Sequence, residues 1–337
     1  MQAVGYRRSL PIEADEALLD LELPVPEPGP RDLLVQIRAV SVNPVDTKVR
    51  ANVAPEAGAA KILGWDAAGV IARVGKEVSL FKPGDEVFYA GSIARPGSNA
   101  EFHLVDERIV GRKPASLSAP QAAALPLTSI TAWELLFDRL GVARGTTGAG
   151  GSLLIIGGAG GVGSILIQLA RRLTGLTVVA TASRAETRDW CLELGAHHVV
   201  DHAAPLPEAL RGLGLPQVTY VASLTNTSDH LAAITEVVAP QGKIAVIDDP
   251  ASLDVTPFKR KSVSVHWEFM FTRSLFETDD MIAQHRLLNE IAERVDAGEL
   301  RTTLAETFGT INAANLKRAH RLIESRRARG KIVLEGF

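Results

Sequence analysis

The feature that most restricts how this chain can fold is an apolar run that breaks into glycines and resumes with helical spacing: Ile155-Ile156-Gly157-Gly158-Ala159-Gly160-Gly161-Val162-Gly163-Ser164. Strand, glycine turn and helix in that order satisfy the context required of a G-x-G-x-x-G dinucleotide fingerprint. Gly158 and Gly160 are expected to permit the tight turn and the close approach of a pyrophosphate, and Gly163 to let the helix pack on the strand. Gly157, Gly161 and Val162 complete the loop, where the helix start offers unpaired N–H groups and the positive end of its dipole. The alternative is a glycine-rich loop with no ligand. An earlier run, Gly148-Ala149-Gly150-Gly151, precedes the strand and has no helix terminus to offer, so it reads as a flexible connector.

Around this loop, strand-like and helical runs alternate. Strands are expected at Leu153–Ile156, Thr177–Thr181, Val199–Asp201, Val218–Ala222, Lys243–Ile247 and Ser262–Phe269, with helices at Ser164–Leu173, Ala185–Leu194, Pro207–Leu213 and Asp229–Val238. Such βαβ alternation with apolar strands indicates an α/β fold built on a doubly wound parallel sheet. Upstream, from Ala3 to about Val110, short runs such as Leu33-Leu34-Val35-Gln36-Ile37, separated by turn residues such as Pro83-Gly84-Asp85, predict a partly open, barrel-like β-rich domain. Ser129–Leu140, Asp279–Ala297 and Asn312–Arg327 read as helices, and the strand-like Lys331-Ile332-Val333-Leu334 closes a tail expected to return to the first domain.

At 337 residues, 46% hydrophobic and 22% charged, the chain is sized for two globular domains. Gly145 to Ala170 carries no charge, but its glycines and the short strand within it argue against a membrane span. A net charge of −3 provides no sustained positive field for nucleic acid. The basic cluster Arg326, Arg327, Arg329 and Lys331 reads as the solvated end of a helix. The single cysteine, Cys191, leaves no intramolecular disulfide and no multi-cysteine metal site, which fits a reducing compartment. The first residues lack an apolar secretory stretch, and a cytoplasmic location is expected.

At the end of the second strand, where NAD-binding folds place an acid on the ribose 2′-hydroxyl, this chain has Thr181-Ala182-Ser183-Arg184. Arg184, helped by Ser183, suits a 2′-phosphate through charge-assisted bonds, so NADPH is the expected cofactor. The other reading is that Arg184 merely begins a helix and faces solvent.

With these features in place, the chain resembles the medium-chain dehydrogenase/reductase superfamily, in its quinone-oxidoreductase and zinc-type alcohol dehydrogenase-like branch. The resemblance covers nearly the whole chain. It rests on Ser41-Val42-Asn43-Pro44-Val45-Asp46, Gly64-Trp65-Asp66-Ala67-Ala68-Gly69-Val70, Lys82-Pro83-Gly84-Asp85-Glu86-Val87, Ala124-Leu125-Pro126-Leu127-Thr128-Ser129, Thr131-Ala132-Trp133-Glu134, the glycine loop and Gly330-Lys331-Ile332-Val333-Leu334. It implies a GroES-like catalytic domain over 1–126 and 272–337 and a Rossmann domain with a six-stranded parallel sheet over 127–271.

The departures bear on chemistry. Zinc-dependent members carry a cysteine where this chain has its Asn43–Asp46 segment and Gly-His-Glu where it has Gly64-Trp65-Asp66, so no zinc is expected. The resemblance then implies hydride delivery from NADPH to a small quinone or to an activated alkene, since both are electron-poor without a Lewis acid. It places Asn43, Asp46 and Thr128 at the nicotinamide pocket, although Asn43 and Asp46 also suit the turn around Pro44. It further implies cofactor contacts from Leu224 and Thr225, Ile247 and Asp248, and Phe269 and Met270, with His202, Arg326 and Lys331 near the adenosine phosphate or approaching from the tail. Trp267, Phe269 and Phe271 read as core or interface rather than as a substrate box. A tyrosine frequent in quinone reductases after Asp46 is missing, and no protein proton donor is assigned. The sixth strand is expected to pair with its mate in a homodimer. An alcohol or aldehyde dehydrogenase and a non-catalytic NADPH-binding protein are the competing functions.

Overall fold

The computed structural model describes residues 1–145 and 150–337. Gly148 and Ala149 of the expected connector lie outside the described residues. The chain divides into two compact units, Met1–Ile130 with Phe271–Phe337, and Thr131–Met270.

In the first unit the strand Asp32–Val42 is the spine, and of its eleven residues only Arg38 is exposed. It is buried because it is paired on both edges: Ala67–Val74 lies antiparallel on one side, and Phe102–Asp106 and Lys331–Glu335 share the other. The full sheet has seven strands, running Leu304–Thr307, Lys331–Glu335, Asp32–Val42, Ala67–Val74, Glu86–Tyr89 and Val110–Arg112, with Phe102–Asp106 beside the spine. A three-stranded sheet of Leu19–Glu22, Gln2–Tyr6 and Lys61–Ile62 adds to it. The tail strand pairs through Ile332 with Val42 and through Leu334 with Val40, which brings Lys331 beside Asn43. The tail helices are Ala283–Asp296 and Ala313–Glu324, shorter than the expected spans.

The second unit is a six-stranded parallel sheet in the chain order 3-2-1-4-5-6, the doubly wound order whose switch point receives dinucleotides. Its strands are Ser152–Ile156, Thr177–Thr181, His198–Val200, Val218–Ser223, Val238–Val246 and Ser264–Trp267. The first strand is buried along its whole length, as a strand covered by helices on both faces must be. Helices Gly161–Leu173, Ala185–Glu193, Leu206–Gly212 and Thr227–Val237 connect the strands.

Three elements depart from their sequence pattern. The helix expected over Ser129–Leu140 runs as α-helix from Pro126 to Trp133 and then widens into a π-helical turn, Glu134–Arg139, where the Leu140 N–H donates to the Leu135 carbonyl at 3.0 Å. The fifth strand begins early, at Val238. The sixth strand is half its expected length, because Ser262 takes a left-handed φ of 51° that ends the turn Thr256–Lys261 and delays pairing to Ser264. Among the described residues, no helix is long and apolar enough to cross a membrane.

Candidate functional site

In the second unit the glycine turn sits at the carboxyl end of the central strand. Gly157 takes a φ of +88°, which L side chains rarely adopt, and its N–H donates to Thr181 Oγ1 at 3.0 Å. The tight-turn role expected of Gly158 therefore falls on Gly157. A Cβ on Gly158 would lie 2.7 Å from Ala180 Cβ, and one on Gly163 would lie 2.5 Å from the carbonyl oxygens of both Gly157 and Gly158, so these two glycines let helix, loop and strand close on one another. Gly160 is different. The nearest atom to a Cβ there is 3.6 Å away, which leaves its side of the loop open. Gly160 caps the helix with no side-chain bond, and the first intrahelical bond runs from Ser164 N–H to Gly160 at 2.9 Å. The amides of Gly161, Val162 and Gly163 thus precede the helical ladder and are the orphan donors to which an anion binds.

The carboxyl ends of the other strands gather the remaining second-unit candidates along one edge. Ser183 and Arg184 are exposed, and the Arg184 guanidinium pairs with Glu186 at 3.3 Å across two exposed side chains. The Ala182 N–H donates to Val200, which carries the Ser183–Arg184 corner past the end of the third strand and the exposed His202 that follows it. His202 meets His230 edge-on, 6.3 Å between ring centroids; burial, followed by the charge of His202, holds His230 below the ordinary imidazole range. Leu224, Thr225 and Ile247 are half-buried at the ends of the fourth and fifth strands. Asp248 is committed to structure, since its carboxylate accepts from the Thr227 N–H at 2.9 Å and from the Thr227 hydroxyl, capping the helix Thr227–Val237. Past the sixth strand Phe269 is exposed and Met270 buried.

Asn43, Asp46, Thr128, Arg326 and Lys331 belong to the first unit. Asn43 caps the helix Pro44–Asn52 in a capping box with Asp46, with Pro44 leading the first turn. The Asp46 carboxylate accepts from the Asn43 N–H at 2.7 Å and from the Gly64 N–H at 2.9 Å. Asp66 accepts from the Leu127 N–H at 2.8 Å, from Asn43 Nδ2 at 3.0 Å and from Lys331 Nζ at 2.9 Å. Lys331 does not reach solvent: only 3% exposed, its ammonium also donates to the Val42 carbonyl and to Asn43 Oδ1, which uses its three protons. Burial pushes Asp46 up to about 7, opposed by its bond from the Asn43 N–H, by Lys331 and by the bond from Gly64. Burial also raises Asp66, and Lys331 is the main opposing influence. Thr128 is buried and donates to the Leu125 carbonyl at 3.2 Å, one residue past Leu127. Arg326 is exposed at a left-handed φ of 57° after the last helix.

The place of a zinc-ligating histidine is taken by Trp65, fully buried, whose indole N–H donates to the Ser92 carbonyl at 3.2 Å and whose ring stands edge-on to Phe271. Phe271 is itself buried, whereas Trp267 and Phe269 are 56% and 47% exposed.

Residues 29–115 match the alcohol dehydrogenase GroES-like domain and residues 194–334 match the zinc-binding dehydrogenase family. The chain is 39% identical over 336 residues, 99% of both sequences, to a zinc-type alcohol dehydrogenase-like protein of Staphylococcus aureus. It is a medium-chain dehydrogenase/reductase. Within this superfamily it is also 30% identical to the mitochondrial NAD(P)H oxidoreductase of Mus musculus, across 90% of this chain and 82% of the relative. Among solved structures, a putative zinc-dependent alcohol dehydrogenase of Rhizobium etli superposes with a TM-score of 0.97 at 58% identity, covering 100% of this chain and 98% of the other. The quinone oxidoreductase of Pseudomonas syringae superposes with a TM-score of 0.82 at 25% identity, each chain 99% covered. These relatives make the chain an oxidoreductase, with the GroES-like and Rossmann domains of its superfamily.

The roles of three acids escaped sequence reasoning. Asp66 was visible only as part of a motif, and its role as the partner of Lys331 had no sequence signal. In the second unit, Glu134 and Glu268 are both buried around one guanidinium, with Arg139 Nε 2.8 Å from Glu268 and Arg139 Nη2 3.9 Å from Glu134. The available hint was a glutamate amid the apolar Ala132, Trp133, Leu135 and Leu136.

Proposed function

We propose that this medium-chain dehydrogenase/reductase is an NADPH-dependent reductase of small quinones or activated alkenes that works without zinc. The observation that carries the cofactor reading is the exposed Ser183-Arg184 corner, with no acid, beside a glycine turn whose open side is at Gly160. The amides of Gly161, Val162 and Gly163 would hold the pyrophosphate at the helix start, and Arg184 would exchange its exposed Glu186 partner for the 2′-phosphate, a stronger charge-assisted acceptor. The cofactor, when bound, supplies hydride. The name of the mouse relative, an NAD(P)H oxidoreductase, agrees with a nicotinamide cofactor.

The residues present do not fit a catalytic zinc. Trp65 offers no ligand atom, Asp46 and Asp66 spend their oxygens on N–H donors and Lys331, and among the described residues no three His, Cys, Asp or Glu side chains are grouped to hold a metal. Without a Lewis acid an electron-poor acceptor is favoured over a simple alcohol. Calorimetry with NADPH and NADH, followed by NADPH oxidation over a panel of quinones, enones and aldehydes with and without chelator, tests the reading. Binding of NADPH ahead of NADH and chelator-resistant quinone or enone turnover are expected; NADH preference, or stoichiometric zinc with alcohol oxidation, overturns it.

A homodimer through the sixth strand belongs to the same proposal. Among the described residues Ser264–Trp267 has one neighbour, Val238–Val246, and its other edge is open beside the exposed Trp267, an arrangement that proteins cover. Light scattering is expected to give twice the chain mass, and a monomer contradicts it.

A further inference from the structure

The pairing of the first two strands of the parallel sheet ends on a side chain. Ser152–Ile156 and Thr177–Thr181 stay in register as far as Ile155 opposite Ala180. Past that point the first strand leaves the sheet into the glycine turn, and the two leading amides of the turn go to one residue. The Gly157 N–H donates to the Thr181 hydroxyl at 3.0 Å, and the Gly158 N–H donates to the Thr181 carbonyl at 3.1 Å. Thr181 is buried. A valine there would have nearly the same shape and an equal preference for a strand, so the hydroxyl is what distinguishes threonine at this place: it satisfies an amide that the sheet ladder no longer reaches. On the opposite flank a Cβ on Gly157 would lie 3.0 Å from Thr225 Cγ2, so the turn is held between the ends of the second and fourth strands. The Gly160 N–H then closes the turn on the Gly157 carbonyl at 3.3 Å, and the helix Gly161–Leu173 begins. The level at which that helix starts is therefore transmitted from Thr181 through Gly157 to Gly160.

We propose that Thr181 is a positioning residue for the pyrophosphate: by accepting both leading N–H groups of the turn, it sets the place of the helix-start amides of Gly161, Val162 and Gly163. The inference rests on the dinucleotide reading above for what those amides hold, and on the two bonds to Thr181 for how they are held. Thr181 acts through Gly157 and touches no phosphate itself. Its carbonyl bond survives any substitution of the side chain, so loss of the hydroxyl frees one of the two amides and loosens the turn without unfolding the strand. A loosened turn presents its donors to the anion less well, because ordering them becomes part of the cost of binding. Every ligand that carries the pyrophosphate shares that cost, whether or not it has a 2′-phosphate. Arg184, three residues on, is expected to discriminate between the two dinucleotides; Thr181 is expected to serve both equally.

The test uses the full chain, titrated calorimetrically with NADPH, with NADH and with 2′-AMP, which has no pyrophosphate. Thr181→Val is expected to weaken NADPH and NADH alike by about five- to tenfold, and Thr181→Ser, which keeps the hydroxyl, to stay within about twofold of wild type for both. Binding of 2′-AMP is expected to stay within about twofold in every variant. Should Thr181→Val not fold, Thr181→Ala takes its place beside Thr181→Ser. The proposal is overturned if Thr181→Val binds both dinucleotides as the wild type does, if Thr181→Ser is as weak as Thr181→Val, or if 2′-AMP loses as much as NADPH, which would mark general damage to the unit. A wild type that binds NADH but not 2′-AMP counts against Arg184 and leaves the dinucleotide comparison to decide for Thr181. Should the wild type bind neither dinucleotide, the cofactor reading fails instead. Amide hydrogen exchange then decides for the turn alone: exchange at Gly157 about tenfold faster in Thr181→Val than in wild type and Thr181→Ser supports the anchor, and equal rates in all three reject it.

Discussion

Two buried charge clusters among the described residues can be compared, one built on Asp46, Asp66 and Lys331 and the other on Glu134, Glu268 and Arg139. In the first unit Asp46 and Asp66 receive three backbone N–H groups, from Asn43, Gly64 and Leu127, besides the Asn43 amide and a fully enclosed Lys331. In the second, Glu134 and Glu268 both lie against the partly exposed Arg139. Burial raises acids in both, to about 7 for Asp46 and about 9 for Glu268. The contrast shows that depth alone does not decide where a buried acid titrates. Backbone donors and Lys331 oppose the rise that burial imposes on Asp46 and Asp66, whereas Glu134 adds to the rise that burial imposes on Glu268.

The largest effect is expected on breaking the enclosed pair. Lys331→Met leaves two buried carboxyls with no cation and should lower the unfolding free energy by about 3–5 kcal/mol in urea titration. Adding Asp66→Asn should return part of that loss, whereas additive losses would deny their coupling. Arg139→Met removes a partly exposed cation from the buried Glu134 and Glu268, and a smaller loss of about 1–2 kcal/mol is expected. If the two single variants cost the same, the distinction between the clusters fails.

The next measurement is the dependence of stability on pH. Both Asp46 and Glu268 bind a proton more tightly folded than unfolded, so their contribution is complete below the unfolded value and lost as pH rises. The windows run from 3.8 to about 7 for Asp46 and from 4.5 to about 9 for Glu268. Within its window each proton contributes a slope of at most about 1.4 kcal/mol per pH unit. Glu268→Gln should flatten the curve between about 7 and 9, where Asp46 no longer titrates, and lessen the decline between 4.5 and about 7; Asp46→Asn should lessen the decline between 3.8 and about 7 and leave that above it unchanged. Crossed results would exchange the roles assigned to the two sites. The smallest stability effect belongs to Arg184→Ala, within about 0.5 kcal/mol because the side chain is exposed, while NADPH binding should weaken by about 1–3 kcal/mol in calorimetry. A fall in stability with unchanged affinity would make Arg184 structural.

What the sequence made legible follows the range of the interactions. The glycine turn, its strand and its helix are contiguous, so spacing alone located them, and only the division of labour between Gly157 and Gly158 needed coordinates. The six strands of the parallel sheet were legible as apolar runs, yet the short sixth strand was not, because its start depends on a left-handed Ser262. The cap formed by Asn43 and Asp46 was foreshadowed by the turn around Pro44. Their link to Lys331 spans 288 positions and leaves no local pattern. The π turn at Glu134 was hidden for a related reason: a helix of either width shows the same apolar residues, and the partner that gives the glutamate meaning lies on another strand.

The position of Lys331 in the last strand sets an order on biosynthesis. A nascent chain presents Asp46 and Asp66 long before the ribosome reaches the lysine that neutralises them, and the whole parallel-sheet unit is translated in between. The acids of the amino-terminal sheet therefore gain their cation only after the later unit has been translated.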